Sequence, residues 1–351
     1  MWNVPTNDGI IDSDKTEGLL VSSKPEVWFE REILSDLVEF VDEQATILGP
    51  ASITPDAPYA NLAAARGIVA SQHRYDAALM DRAPNLRVIS RTGIGYEKVD
   101  VAAATERGIA VCIAPDGPTI STAEHAIALL LMVAKNVKRS EAELREGGSD
   151  FYARHIGIEL DGATLGLVGF GRIARRVASI AQGLRMKVAT YDPFLAPGDF
   201  PPGIIRHETI EALVAASEMV SIHVPLTKDN AGLFDSDLLA LMKPGSILIN
   251  TARGGLVDIP SLESALDAGH LFGAGLDVTE PEPLAPGHSL LARVDVVVTP
   301  HVAAGTAGAK RRIFKNAFEQ VIQVLDGQRP PDLVNPEVWV GLSTTQLGDP
   351  G

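Results

Sequence analysis

Residues 165 to 192, LGLVGFGRIARRVASIAQGLRMKVATYD, constrain the fold of this chain more than any other stretch. An apolar run, Leu165 to Val168, enters the turn Gly169-Phe170-Gly171-Arg172-Ile173-Ala174. A helical pattern continues through Leu184, and a second apolar run, Val188 to Tyr191, delivers Asp192. Strand, glycine turn, helix, strand and acidic residue in that order are what a dinucleotide site requires. Gly169 closes the turn, Gly171 lets a pyrophosphate approach the backbone, and the small Ala174 lets the helix pack tightly on the sheet. Asp192 selects the dinucleotide, because its carboxylate accepts hydrogen bonds from a ribose 2'-hydroxyl and repels a 2'-phosphate. Pro193-Phe194-Leu195 adds no positive charge, so NAD is favoured over NADP. The alternative is a solvated strand-end carboxylate with Pro193 starting a turn.

A chain of 351 residues exceeds one ordinary core, so two domains are expected. Its formal charge of -15 disfavours a nucleic-acid surface or a polybasic membrane patch. The lone Cys112, inside the apolar run Gly108 to Ala114, reads as a buried strand residue; no disulfide framework or thiolate metal site is possible, and no metal is expected. The longest apolar run, Ala126 to Ala134, is too short to span a bilayer. The N-terminal stretch shows no secretory signal and reads as a loosely packed arm, so a cytoplasmic protein is expected.

Along the chain, Leu19 to Ser22 could open a first strand and Val27 to Glu43 carries a helical pattern. Strand candidates follow at Ala45–Leu48, Gly67–Ser71, Leu86–Ser90 and Ile109–Ile113, with helices over Tyr75–Asp81 and Val101–Arg107 between them. Alternation at this spacing implies a parallel sheet covered on both faces, making the first domain α/β as well. A long helix is predicted from near Ser121 to Val137, and the charged stretch Glu141 to Gly157 reads as a loop or boundary. The second domain begins at Leu160. Its further elements are Met219–His223, Asp235–Met242, Ser246–Asn250, Leu262–Ala268, Ala274–Leu276 and Val296–Val298, and a helix over Ala309–Leu325 is placed to cross back to the first domain.

Three stretches just past predicted strands of the second domain lie where open parallel sheets bind ligands. In Asn250-Thr251-Ala252-Arg253-Gly254-Gly255, the arginine between small residues suits a carboxylate clamp, though a surface arginine in a glycine turn reads the same way. Asp277, Glu280 and Glu282 crowd the second stretch, which by itself could be a solvated acidic loop; Pro281 and Pro283 stiffen Glu282. The third, Thr299-Pro300-His301-Val302-Ala303-Ala304-Gly305, offers a histidine suited to gaining and giving a proton. A carboxylate partner would hold its ring.

The stretches RTGIGYEKVD from Arg91, TAEHA from Thr122, GLVGFGRIA from Gly166, HVPLT from His223, MKPGSILINTARGGLVD from Met242, GLDVTEPEPL from Gly275, TPHVA from Thr299 and VNPE from Val334 carry a resemblance. In order and spacing they are similar to the D-isomer-specific 2-hydroxyacid dehydrogenases, over roughly Ala64 to Val338. The resemblance implies that Arg253 binds and polarises a 2-oxo acid, that Glu282 partners His301, and that His301 exchanges the substrate proton. It implies substrate contacts at Ser71, Gly93, Ile94 and Gly95, with the backbone of the last three receiving the carboxylate. Asp277 resembles the residue near the nicotinamide amide. Thr122, Phe170, Arg172, Ile173, His223, Pro225, Thr251 and Gly305 complete the NAD contacts implied beside Gly169, Gly171 and Asp192.

The implied architecture is two Rossmann-like parallel-sheet domains about an active-site cleft. The substrate domain is discontinuous and flavodoxin-like (residues 1–128 and 308–351), and the NAD domain is residues 129–307. A homodimer joined through the cofactor domain and the region near the Thr122 to Val137 helix is implied, without a C-terminal regulatory domain. Pro118 stands where phosphoglycerate dehydrogenases have asparagine, and Val69-Ala70-Ser71-Gln72 lacks their arginine, which weakens a phosphorylated-substrate reading unless His73 or Arg74 compensates. Glu282 argues against the formate dehydrogenase branch, which has glutamine there. The leading expectation is an NAD-dependent D-2-hydroxyacid dehydrogenase acting on a small 2-oxo acid. The alternatives are a D-3-phosphoglycerate dehydrogenase and a non-enzymatic NAD-sensing scaffold like the dehydrogenase-like corepressors.

Overall fold

A computed structural model describes residues 24–49 and 59–339. The strand expected at Leu19–Ser22 and the N-terminal arm lie outside the described residues.

Two wholly parallel sheets make up the chain. The first holds β1 (Glu26–Phe29), β2 (Thr46–Leu48), β3 (Gly67–Ala70), β4 (Val88–Arg91) and β5 (Ala110–Cys112) in the order β2-β1-β3-β4-β5. The second holds β6 (Thr164–Val168), β7 (Lys187–Tyr191), β8 (Ile204–Arg206), β9 (Met219–Ile222), β10 (Ser246–Asn250), β11 (Leu271–Leu276) and β12 (Val296–Val298) in the order β12-β11-β10-β9-β6-β7-β8. The first order is that of a flavodoxin-like sheet, and the second begins as a dinucleotide-binding sheet does, reversing direction between β6 and β9. Helices cover both faces, so strands such as β1, β3, β9 and β10 are buried almost end to end.

The Val27 to Glu43 stretch is corrected by the structure. Val27, Trp28 and Phe29 are consecutive buried residues of β1, and only Val38–Asp42 is α-helical. A fully buried strand shows no alternation, so its apolar run merges into the following helix pattern. The stretch Glu141 to Gly157 contains helix as well as loop, with helices at Val137–Arg145 and Phe151–Arg154. Asn136, left-handed at φ 50°, breaks the long helix after Ala134. The short strand β8 had no reading in the sequence.

Two helices position the cleft. Thr119–Ala134 lays Ala123, Ala126, Ile127, Leu129, Leu130 and Val133 into the core of the second sheet. It comes so close that a Cβ on Gly275 of β11 would stand 2.9 Å from Leu129 Cβ. Ala307–Leu325 returns to the first sheet, seating Phe314 and Phe318 on Phe29 with ring centroids 5.7 and 5.9 Å apart, which makes that domain discontinuous. Among the described residues no single helix is long and apolar enough to cross a membrane. One pair, Thr119–Ala134 with Val137–Arg145, passes by length and composition only, and it bends by 53°.

Candidate active site

Loops at the carboxyl ends of both sheets line a cleft of about 550 Å³ that contains Gly93, Ile94, Gly95, Arg253, Glu282 and His301. His301 follows β12 at φ 53°, a left-handed conformation that non-glycine residues adopt rarely and at a cost of about 1–3 kcal/mol. Asp277, almost fully buried at the end of β11, holds it there. The His301 N–H donates to the Asp277 carbonyl at 2.7 Å, and the next two N–H groups, of Val302 and Ala303, donate to its carboxylate at 2.9 Å. Thr299 Oγ1 gives its proton to Asp277 at 2.6 Å, so it accepts from His125 Nε2 at 2.9 Å, and His125 must carry its proton there. Burial acts to raise the Asp277 carboxyl, yet His125, Thr299 and the two N–H groups outweigh it and hold the group below its ordinary value. The ring of His301 then meets Glu282, with Nδ1 2.7 Å from Oε1. That pairing leaves Nε2 as the atom available to a substrate.

Arg253 is placed by a turn that Asn250 closes. The buried Asn250 amide accepts the Ala252 N–H at 2.9 Å and donates to the Arg253 carbonyl at 2.8 Å. Gly254 packs against the backbone at Thr279 so closely that a Cβ would overlap the Thr279 carbonyl, which brings the arginine turn onto the loop leading to Glu282. The guanidinium donates to Glu97 at 3.1 Å through Nε and approaches Gly95, where a Cβ would overlap Nη2. Burial acts to raise Glu97, but its own N–H and the guanidinium groups of Arg253 and Arg91 leave it below its ordinary value. In the glycine turn after β4, the Gly93 N–H is spent on the Arg91 carbonyl at 2.9 Å, whereas those of Ile94 and Gly95 have no partner among the described residues.

The residues of the nucleotide turn fit a dinucleotide. Gly169 is left-handed at φ 89°, where a Cβ would also stand 2.9 Å from the His223 carbonyl; nothing lies within 4 Å of a Cβ on Gly171, which leaves that approach open. Gly171 precedes the helix Arg172–Gly183, whose first N–H groups favour an anion. Asp192 accepts from the Phe170 N–H at 2.8 Å through Oδ2 and from the Phe194 N–H at 2.9 Å through Oδ1. Each oxygen keeps a lone pair for a ribose hydroxyl. The Thr251 hydroxyl is buried without a partner among the described residues and lines the cleft with Thr122 and Ile173.

Other residues singled out from sequence fall elsewhere. Ser71 lines an adjoining cavity with Glu30; the Phe170 ring is buried in the core, and its N–H is given to Asp192. Arg172 pairs with Asp116 at 2.9 Å. His223 sits beside the glycine turn, its N–H on the Val168 carbonyl at 2.8 Å, and desolvation pushes its imidazole down to about 4. Pro225, Gly305, Asp192 and His223 are outside the cleft lining, as are His73 and Arg74, whereas Arg91, Glu97 and Lys98 are inside it. Sequence reasoning had passed over these three, although they stand in or beside the quoted glycine turn. Arg91 is buried, with Nη1 lacking a partner among the described residues and Nε on the Gly95 carbonyl at 3.0 Å. His125, within the TAEHA stretch, was also unassigned.

A flavodoxin-like sheet and a dinucleotide-type sheet meeting at a histidine–carboxylate pair and an arginine describe a nicotinamide-dependent dehydrogenase class. Residues 127–303 match the family D-isomer specific 2-hydroxyacid dehydrogenase, NAD binding domain. The chain is 39% identical over 268 residues to the D-3-phosphoglycerate dehydrogenase of Archaeoglobus fulgidus, covering 76% of this chain and 51% of that protein. It is 40% identical over 306 residues to the (S)-sulfolactate dehydrogenase of Chromohalobacter salexigens, covering 83% of this chain and 99% of that protein. The crystal structure of the TT0316 protein from Thermus thermophilus superposes with a TM-score of 0.76 at 37% identity, covering 88% of this chain and 99% of that one. The chain spans about half the length of the phosphoglycerate dehydrogenases it matches. It belongs to the D-isomer-specific 2-hydroxyacid dehydrogenase family and carries that family's NAD binding domain.

Proposed function

We propose that the chain catalyses reversible hydride transfer between NADH and C2 of a small 2-oxo acid, yielding the D-2-hydroxy acid. The observation that carries this reading is the 2.7 Å His301–Glu282 pair, set in one cleft with Arg253 and the uncommitted N–H groups of Ile94 and Gly95. Those two N–H groups receive the substrate carboxylate, with Gly93 shaping the turn. Arg253 exchanges part of its contact with Glu97 for the substrate and polarises the C2 oxygen. Gly169, Gly171, Asp192, Thr251 and the helix after Gly171 would hold NADH, which when bound would supply the hydride. His301 Nε2 gives its proton to the C2 oxygen during reduction and takes it back during oxidation, while Glu282 fixes the ring. The first sheet with the helix Ala307–Leu325 acts as the body that closes on the second sheet, to which the Thr119–Ala134 helix is packed, excluding water.

Small unphosphorylated acids fit best, because Gln72 and Pro118 are neutral and Glu97 stands beside Arg253. A second reading, a D-3-phosphoglycerate dehydrogenase, is favoured by one observation: the cations Arg91 and Lys98 also line the cleft. Loss of NADH absorbance with glyoxylate, hydroxypyruvate, pyruvate and 3-phosphohydroxypyruvate separates the two. The first three should be reduced more efficiently than the last, and NADH should exceed NADPH by at least about tenfold in kcat/KM. Preference for the phosphorylated acid installs the second reading. Equal use of NADPH removes Asp192 from cofactor selection, and tight NADH binding without turnover on any acid points to the non-enzymatic scaffold.

A further inference from the structure

Glu30 directly follows β1, and its side chain is only 2% exposed, yet it lies outside the cleft. A buried carboxylate is costly unless its lone pairs are filled. Here they are filled by one short loop, the one that follows β3. The successive N–H groups of Ser71, Gln72 and His73 all donate to Glu30, the last at 2.9 Å. The Tyr75 hydroxyl donates to it at 2.9 Å, and His73 Nδ1 stands 2.9 Å away. Consecutive backbone N–H groups turned onto one anion form a nest of the kind that binds phosphate elsewhere. In this chain the occupant of the nest is the protein's own carboxylate.

The loop so held touches the cleft at Gln72. Gln72 Oε1 accepts from Lys98 Nζ at 3.0 Å, and both residues line the cleft with the Gly93–Gly95 turn. The backbone couples the same segments: the Tyr75 N–H donates to the Lys98 carbonyl, and the Thr92 N–H to the Ala70 carbonyl, both at 2.8 Å. With the N–H groups of Ser71, Gln72 and His73 spent on Glu30, these three residues offer a substrate their side chains and not their backbone donors.

We propose that Glu30 is a positioning residue for substrate recognition: its carboxylate sets the Ser71–Tyr75 loop so that Gln72 stands in the cleft wall and holds the Lys98 ammonium beside the substrate. The inference rests on the 2-oxo acid reading. Without the Glu30 carboxylate the N–H groups of Ser71, Gln72 and His73 and the Tyr75 hydroxyl would lose their acceptor in this conformation, so the carboxylate fixes the path of the loop that supplies them.

The full chain tests this with two variants measured against wild type. Glu30→Gln keeps the volume but turns an amide NH₂ toward backbone donors. It should raise KM for the preferred oxo acid by about tenfold or more, leave kcat within about threefold, and leave the NADH Kd unchanged. Hydrogen–deuterium exchange at Ser71–His73 should quicken. Gln72→Ala removes the group that reaches the cleft without touching the nest, so it should raise KM with exchange at Ser71–His73 unchanged; it also decides the matter if Glu30→Gln fails to fold. An unchanged KM in a folded Glu30→Gln or in Gln72→Ala overturns the proposal, as does a Glu30→Gln loss that falls on kcat and NADH binding alike. Wild type without turnover defeats the functional reading instead, and the exchange measurement still reports whether Glu30 holds the loop.

Discussion

His301 carries its chemistry on a left-handed backbone, so the replacement that isolates the imidazole is asparagine, which tolerates that conformation better than most residues. His301→Asn should lower kcat by about 10² to 10⁴ while NADH affinity, read by fluorescence titration, stays within about twofold. A near-normal kcat would assign the proton to another group. The buried carboxyls of Glu30 and Asp277 make a second statement at this scale. Burial acts to raise both, but their hydrogen-bond donors hold them below the ordinary values of 4.5 and 3.8. The unfolded chain therefore takes up these protons at higher pH than the folded one. Their stabilisation is complete above those ordinary values and is lost as pH falls below them toward the lowered ones. Thermal scans should show Tm dropping from about pH 5 to pH 3, with a shallower acid slope in Asp277→Asn; an unchanged slope would mean that Asp277 titrates alike in both states.

At the scale of elements, the glycine after Arg253 and the helix Ala307–Leu325 do different work. A methyl group at Gly254 would overlap the Thr279 carbonyl, so Gly254→Ala must shift the arginine turn away from the Glu282 loop. KM for the oxo acid should rise by about tenfold or more, whereas an unchanged KM would show that the turn relaxes without moving the guanidinium. Phe318 is fully buried between Phe29 and Phe40, so Phe318→Ala should cost about 3–5 kcal/mol in urea unfolding of the first domain. A cost under about 1 kcal/mol would mean that the helix packs there only loosely.

For the whole molecule, Leu144, Tyr152 and Ile156 are 65%, 97% and 75% exposed on the segment that follows the Thr119–Ala134 helix. These three large apolar side chains are what the homodimer implied by the resemblance, joined near this helix, would cover. Light scattering should give twice the 37.2 kDa chain mass, and Leu144→Glu with Tyr152→Glu should return it to one chain. A wild-type mass of one chain across concentrations would defeat the dimer.

Much of this was written in local order. The strand, glycine turn and helix with Asp192 depend on neighbours within 28 residues, and the Arg253, Glu282 and His301 stretches follow strand ends, where such sheets place ligands. Local pattern failed where burial on both faces erased periodicity, as in β1, and where a single left-handed residue, Asn136, split a helix. Only the tertiary fold could bring Glu30 under Ser71–Tyr75, Glu97 onto Arg253, and His125 with Asp277 beneath His301. Each of these contacts joins separate elements, and a charged or polar residue reveals its partner only once packing decides which donors it meets.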